Sequence, residues 1–187
     1  KALIPAMKNM QERIVTREDL LARVYSLPSS LGRVFRAAVR SNPNNPLASQ
    51  LHIVSRDANG KLIVSPDTLK RNLVTYLNPY RMISDAIDIL DAQIINLTLT
   101  FEILVNPKMN KSVVLQGVLR DLQTYFKTTN FNIDQPMNLD DVRGFIFANS
   151  NVVSVNSLQF KCVSGLVNNV TYSDTYFDVQ ANTTRNF

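Results

Sequence analysis

Three aspartates at a spacing of three, Asp85, Asp88 and Asp91, are the strongest candidates for metal chemistry in this 187-residue sequence. On an α-helix this spacing would place the carboxylates on one face, and aligned carboxylates bind hard cations. The apolar residues between them, in the stretch SDAIDILDAQ, favour an edge strand or a loop, and EF-hand spacing is absent. We therefore expect no metal site. The alternative is a divalent-metal or hydrolytic domain, whose melting temperature metal would raise.

The sequence has one cysteine and one histidine, so a catalytic thiol could only be Cys162 with His52 as its histidine partner. A catalytic thiol needs a neighbouring base. Cys162 is in phase with Leu158 and Phe160 on a predicted strand, which favours a buried apolar role. His52 lies in the predicted strand LHIVSR, where the polar face is its expected place. Neither residue indicates catalysis, and a single cysteine excludes an internal disulfide and a thiolate metal cluster.

Motifs that bind phosphate or carry out hydrolysis are absent from the sequence. It contains no GxxxxGK[ST], GxGxxG, HExxH or GxSxG pattern, and only 5 glycines in all. Few glycines leave few places where the backbone approaches a ligand closely. We therefore predict a protein that is not an enzyme and has no cofactor.

The net charge of +5 is concentrated in residues 1–40, which contain eight basic and three acidic residues. A local excess of this kind can mark an anionic partner. One alternative is a nucleic-acid-binding module of residues 1–40, whose binding would weaken steeply with salt. Aromatic-interleaved basic motifs and zinc spacing are missing, so we favour either a solvated face or a surface that meets an acidic protein neighbour. Our hypothesis is that the surface with Arg33, Arg36 and Arg40 meets a neighbouring subunit, and we expect charge reversal there to abolish assembly without unfolding the chain.

The local signals predict strands interleaved with helices, and therefore an α+β fold with mixed sheets and packed helices, with an α/β fold as the alternative. Thr16 with Asp19 starts a helix, GRVFRAAVR is a strand, and NPNNPLASQ is a loop. Asn59-Gly60 marks a hairpin, and Ser65-Pro66 starts a helix in which the serine caps the amides. The next helix spans roughly residues 111–127. We expect its buried side to comprise Leu115, Leu119, Leu122 and Phe126.

The order of elements suggests two small α/β lobes. We assign residues 1–15 to a linker or the end of a preceding domain, residues 16–92 to the first lobe and residues 93–187 to the second. A helix, a polar link and a Val-rich strand recur after Asp19 and Asp141, although chance recurrence of a common motif remains an alternative. The chain starts at Lys1 and stops at ANTTRNF, so we interpret it as a piece of a longer polypeptide.

The most regular pattern is the stretch IINLTLTFEILVNP, residues 94–107, in which apolar and polar residues alternate. Alternation of this kind is typical of a β-strand with one buried face. The polar face carries Asn96, Thr98 and Thr100, short uncharged side chains that suit the centre of a protein interface. A face that simply meets solvent is the alternative.

The stretches TREDLLARVYSLPSSLGRVFRAAVR and LNPYRMISDAIDILDAQIINLTLTFEILVNP resemble the baseplate J-like family of contractile phage tails. NVVSVNSLQF resembles a later Val-rich strand of that family, and YSDTYFDVQANTTRNF is similar to its C-terminal region. The similarity covers most of residues 12–187. It implies the C-terminal portion of a baseplate wedge subunit of a myovirus.

This resemblance implies a structural virion protein with no enzymatic activity. Wedge proteins of this family dimerise, form a ring around the tail hub, and relay baseplate rearrangement to sheath contraction. The implied partners are further copies of the chain, other wedge subunits, and hub-proximal or sheath-proximal tail proteins, with neither nucleic acid nor membrane. The implied location is the tail baseplate of the virion, assembled in the host cytoplasm.

Overall fold

A computed structural model describes residues 13–83, 85–167 and 169–181 of the chain. The chain divides into two compact units, one containing the residues up to Ala92 with Asn132–Asp134, the other the remainder. Helices and antiparallel strands occur in both, so the α+β prediction is confirmed. Of the predicted linker, residues 1–12 lie outside the described residues, and so do residues 182–187 at the other end.

The first helix, α1 (Arg17–Tyr25), starts with the predicted capping box. The Asp19 backbone N–H donates to Thr16 Oγ1 at 3.1 Å, and the Thr16 N–H donates to Asp19 Oδ2 at 3.0 Å. These two bonds satisfy amides that have no partner inside the helix. The helix buries Leu20 and Val24 in the core of the first unit. Its start is therefore fixed by local residues and its orientation by packing.

Replacing Asp19 with asparagine is expected to lower the stability of the first unit by about 0.5 kcal/mol, because a negative charge at a helix N-terminus is lost. The hydrogen bond from the Thr16 backbone is the main cause that lowers the pKa of Asp19 below 3.8. A lowered pKa contributes stability that is present above the unfolded value and is lost as pH falls through the folded one. Urea unfolding, monitored by amide exchange, should show a lower free energy of unfolding for Asp19→Asn than for the unmodified chain at pH 6. This difference in free energy should shrink below about pH 4. A difference independent of pH would contradict this role.

The sheet of the first unit is built around the long strand β2 (Asn45–Arg56). On one side β1 (Arg36–Asn42) runs antiparallel to it, with Ala38 opposite His52. On the other side are β3 (Leu62–Ile63), antiparallel, and β4 (Ala86–Asp91), parallel. The loop predicted for NPNNPLASQ is wrong in extent, because only residues 43 and 44 lie between β1 and β2. Backbone hydrogen bonds between β1 and β2 continue up to this turn, so the polar residues next to it belong to the strands.

The predicted Asn59-Gly60 hairpin is present between β2 and β3. The Gly60 N–H donates to Asp57 O at 3.1 Å, and Gly60 has a φ of 87°. This is the left-handed conformation that glycine adopts without steric cost. The turn therefore follows directly from the local sequence.

Helix α2 (Asp67–Leu77) lies in the connection between β2 and β4, which pair in parallel. Parallel strands need a long crossover connection of this kind, usually a helix. Helix α2 buries Leu69, Leu73 and Leu77 against Leu51 and Ile53 of β2. The predicted serine cap is wrong. Pro66 occupies the cap position and no side chain caps the helix, whereas Ser65 is buried with its Oγ 2.9 Å from Ser55 Oγ. The buried hydroxyl is satisfied by its partner in β2, which anchors the start of the helix.

The second unit is a two-stranded antiparallel sheet covered on one face by helices. Its strands are β5 (Asn96–Val105) and β6 (Val152–Val163). The helices are α3 (Lys111–Tyr125) and α4 (Leu139–Phe147), and α4 packs on β6. A short hairpin of β7 (Leu166–Val167) and β8 (Val170–Thr171) follows. Among the described helices of either unit, none has the length and apolar character needed to cross a membrane.

The buried side of α3 differs from the prediction. Val114, Val118 and Leu122 pack against Val142 and Ile146 of α4. Leu122 was predicted correctly, and Phe126, just beyond the helix end, packs partly buried against the same core. Two predicted positions, Leu115 and Leu119, are each 42% exposed. The apolar sector of this helix is wider than the side that α4 and the sheet cover, so periodicity alone selected the neighbouring stripe.

Candidate assembly surfaces

The strand predicted from residues 94–107 forms one half of a long ribbon with β6. Leu99, Phe101 and Ile103 point to the helices of the second unit and pack on its core. Residue pairs along the ribbon include Leu99 with Phe160 and Phe101 with Leu158, which extend the apolar inner face across both strands. One face of the ribbon is therefore committed to the core, and the alternation in the sequence is explained by it.

The opposite face of the ribbon is polar, and we call the residues Thr98, Thr100, Glu102, Gln159 and Lys161 the ribbon face. Thr98 lies opposite Lys161, and Thr100 lies opposite Gln159. All five side chains are exposed. Of the predicted interface residues on this strand, Thr98 and Thr100 belong to the ribbon face and Asn96, at the strand start, is half-buried. The centre of the ribbon face carries Thr100 and Gln159. Its two charged residues, Glu102 and Lys161, lie on either side of that centre.

The edges of the ribbon and one of its ends extend this surface. Within the described residues β5 and β6 pair with each other and with no third strand, so each presents an unpaired edge. Open edges are templates for pairing with another chain. At the end of the ribbon Leu104 and Val153 are 53% and 51% exposed. Backbone edges and exposed aliphatic side chains thus border the polar ribbon face and add surface that a partner could cover.

The three predicted interface arginines have different surroundings. Arg40 makes two parallel bonds to Asp134, from Nε to Oδ2 at 2.7 Å and from Nη2 to Oδ1 at 2.6 Å. The Arg36 guanidinium lies 4.7 Å from the centroid of the Phe35 ring. Arg33 precedes β1 and is exposed. The β-strand places Arg36 and Arg40 on one face, but both engage groups of their own chain.

Other basic residues of the segment 1–40 are dispersed over the first unit. Arg17 Nη2 donates to Ser41 Oγ at 2.5 Å, and the Arg23 guanidinium lies 4.0 Å from the centroid of the Tyr80 ring. Lys1 and Lys8 lie outside the described residues. These interactions account for part of the basic excess through contacts within the chain.

The aspartates Asp85, Asp88 and Asp91 are separated by the strand that carries two of them. Because side chains alternate along β4, Asp88 and Asp91 point to opposite faces. Asp88 Oδ2 accepts from Asn42 Nδ2 at 3.3 Å, and Asp91 Oδ2 lies 2.6 Å from Lys70 Nζ. The described part of the chain holds no group of three potential metal ligands.

Among the described residues of the first unit, the ion pair of Lys70 with Asp91 is the most enclosed. Lys70 Nζ also lies 3.2 Å from Asp67 Oδ1, and the Lys70 side chain is mostly buried. The hydrogen bond to Asp91 is the main cause that raises the pKa of Lys70 above 10.5. A raised pKa means that protonated Lys70 stabilises the folded state. This stabilisation is fully present below pH 10.5 and is lost as pH rises through the pKa of the folded state. The pair therefore anchors α2 to β4 throughout the neutral range.

His52 and Cys162 are built into strands of separate units. His52 lies between Ala38 of β1 and Leu90 of β4. Its Nε2 is buried and has no hydrogen-bond partner within the described residues. Cys162 is half-buried opposite Leu97, and its Sγ accepts from the Phe177 N–H at 3.4 Å. Each residue is thus part of a sheet.

Comparisons with known proteins show a likeness of fold. No family model and no curated protein matches the chain. A chain in the cryo-EM structure of the anti-feeding prophage baseplate, 6-fold symmetrised, matches with a TM-score of 0.56 and 13% sequence identity. The match covers 81% of this chain and 34% of that chain, so this chain spans about a third of the length of its structural neighbour. The fold therefore resembles part of this baseplate chain, and the assignment to the J-like family stays a prediction.

Proposed function

We propose that this chain is a structural, non-enzymatic subunit of a contractile-tail baseplate wedge. The observation that carries the proposal is the likeness of fold to a baseplate chain over 81% of this sequence. The polar ribbon face and the open edges support it, because an assembly subunit needs surfaces that are soluble alone and can be buried later. The proposed location is the tail baseplate of the virion, assembled in the host cytoplasm.

The ribbon face is the surface that we assign to self-association. Along β5, Glu102 lies two residues after Thr100 and Thr98 lies two residues before it. Lys161 of β6 is opposite Thr98, so the two charges lie on opposite sides of Thr100. A twofold axis across the strands at the level of Thr100 and Gln159 therefore places Glu102 of one copy near Lys161 of its partner. Twofold interfaces require a self-complementary patch of this kind. The charges of the ribbon face complement themselves when two copies meet.

Larger assembly follows from further contacts of such dimers. The proposed ring surrounds the tail hub, binds other wedge subunits, and relays baseplate rearrangement to the sheath. Two compact units, each with its own packed core, suit a relay because packed cores resist deformation and interfaces switch between alternative contacts. Exposed Arg33 is available for an acidic neighbour in the ring.

Quantitative mass spectrometry of purified phage particles and isolated baseplates tests the proposed function. The chain should be present in both, enriched in the baseplate fraction, and at a copy number divisible by six if its ring shares the symmetry of the structural neighbour. Capsids separated from tails provide the control fraction and should lack it. Absence from mature particles would contradict the proposed function.

A further inference from the structure

A pocket in the first unit has a chemistry that neither the ribbon face nor the fold comparison explains. It has a volume of about 260 Å³ and lies where the start of α1 meets one end of the sheet. Apolar side chains of Ile14, Leu20, Val39 and Ile87 line part of it. The polar lining includes two arginines, Arg17 and Arg81, together with Ser41, Ser49 and Asp85.

Hydrogen bonds hold the two guanidiniums at this pocket. Arg17 Nη2 donates to Ser41 Oγ at 2.5 Å, and Arg81 Nη1 donates to the Asp85 carbonyl oxygen at 2.6 Å. The backbone beneath them is fixed as well, since the Ile14 N–H donates to Tyr80 O at 2.8 Å. Within the residues that the structure describes, neither arginine has a carboxylate at ion-pair distance. A guanidinium has five N–H donors, so most of those at the pocket remain for a ligand.

We infer that this pocket binds a carboxylate side chain presented by an acidic segment of another protein chain. Two arginines and one aspartate give the lining a net charge of +1, which matches one carboxylate and not a doubly charged phosphate. Arginine pairs with carboxylates through parallel N–H donors. The apolar lining suits the methylene stem of a glutamate, and 260 Å³ lies below the range of about 300–1,000 Å³ for whole small molecules. A neighbouring baseplate subunit as the source rests on the proposed function, but the preference for a carboxylate does not.

Nuclear magnetic resonance of the arginine Nε–Hε groups tests this pocket directly. The probes are the blocked peptide acetyl-Gly-Leu-Glu-Gly-amide, the same peptide with glutamine for glutamate, and inorganic phosphate. We expect saturable shifts of Arg17 and Arg81 with the glutamate peptide, and binding weaker by about tenfold or more with the other two probes. Arg17→Gln and Arg81→Gln should each abolish saturation, whereas Arg71→Gln, an exposed arginine of α2 that does not line the pocket, should not.

The outcomes separate the pocket from the proposed function. Equal shifts with the glutamate and glutamine peptides, or no saturation at either arginine, would overturn the carboxylate site. Tighter binding of phosphate would replace it with a phosphate site. Circular dichroism of both variants checks that they fold, which their exposed side chains lead us to expect. None of these results depends on whether the chain is found in baseplates.

Discussion

Replacing Val118 with aspartate is expected to unfold the second unit, whereas replacing its neighbour Leu119 with aspartate leaves that unit folded. Val118 is 1% exposed and packs in the core between α3 and α4, while Leu119 is 42% exposed. A carboxylate at position 118 would lose its hydration without gaining a partner. We expect a loss of at least about 4 kcal/mol, which is large compared with the stability of a small domain.

Amide hydrogen exchange measured by mass spectrometry separates the two variants and the two units. In Val118→Asp, peptides from β5, β6 and α4 should lose protection, and peptides from β2 and α2 of the first unit serve as the internal reference. Leu119→Asp should retain nearly the protection of the unmodified chain in all of them. If Leu119→Asp proved the more damaging substitution, the packing of α3 described above would be wrong.

Reversing either charge of the ribbon face is expected to weaken self-association, and reversing both is expected to restore it. With Glu102→Lys alone, the twofold arrangement brings two lysines together where a lysine met a glutamate. Lys161→Glu alone brings two glutamates together. Juxtaposed like charges disfavour a complex strongly, so each single variant should raise the dimer dissociation constant by about tenfold or more. The double variant Glu102→Lys with Lys161→Glu recreates both pairs with exchanged signs.

Sedimentation velocity over a range of concentrations measures all three variants against the unmodified chain. Arg71→Glu, which reverses an exposed charge on α2, is the matched control and should associate normally. Because Glu102 and Lys161 are exposed, none of these changes should shift thermal unfolding of the isolated chain appreciably. Two weakened single variants with an equally weak double variant would exclude this twofold pairing.

Features set by neighbouring residues in the chain were predictable from the sequence. The capping box of Thr16 and Asp19 requires only two residues three positions apart, and the Gly60 turn requires one residue that tolerates a positive φ. The alternation in residues 94–107 has a single explanation because a strand exposes alternate residues to one face. These elements needed no knowledge of their tertiary partners.

Features set by tertiary contacts were not predictable. On α3 both Val118 and Leu119 belong to an apolar sector, and only the position of α4 decides which is buried. The Arg40 pair with Asp134 joins residues far apart in sequence, so a charge count could not reveal that this arginine has a partner. The pocket of Arg17 and Arg81 likewise depends on bringing the start of α1 to the segment before β4. Two arginines at such a separation carry no sequence signal.

The solution mass of the purified chain, measured by light scattering over a wide range of concentrations, tests the assembly role most directly. Self-association through the ribbon face predicts a mass that rises with concentration from that of one chain to at least two. It also predicts that added salt lowers the mass, because two pairs of exposed charges are formed. A mass that stays at that of a single chain up to the highest soluble concentration would contradict self-association of this chain.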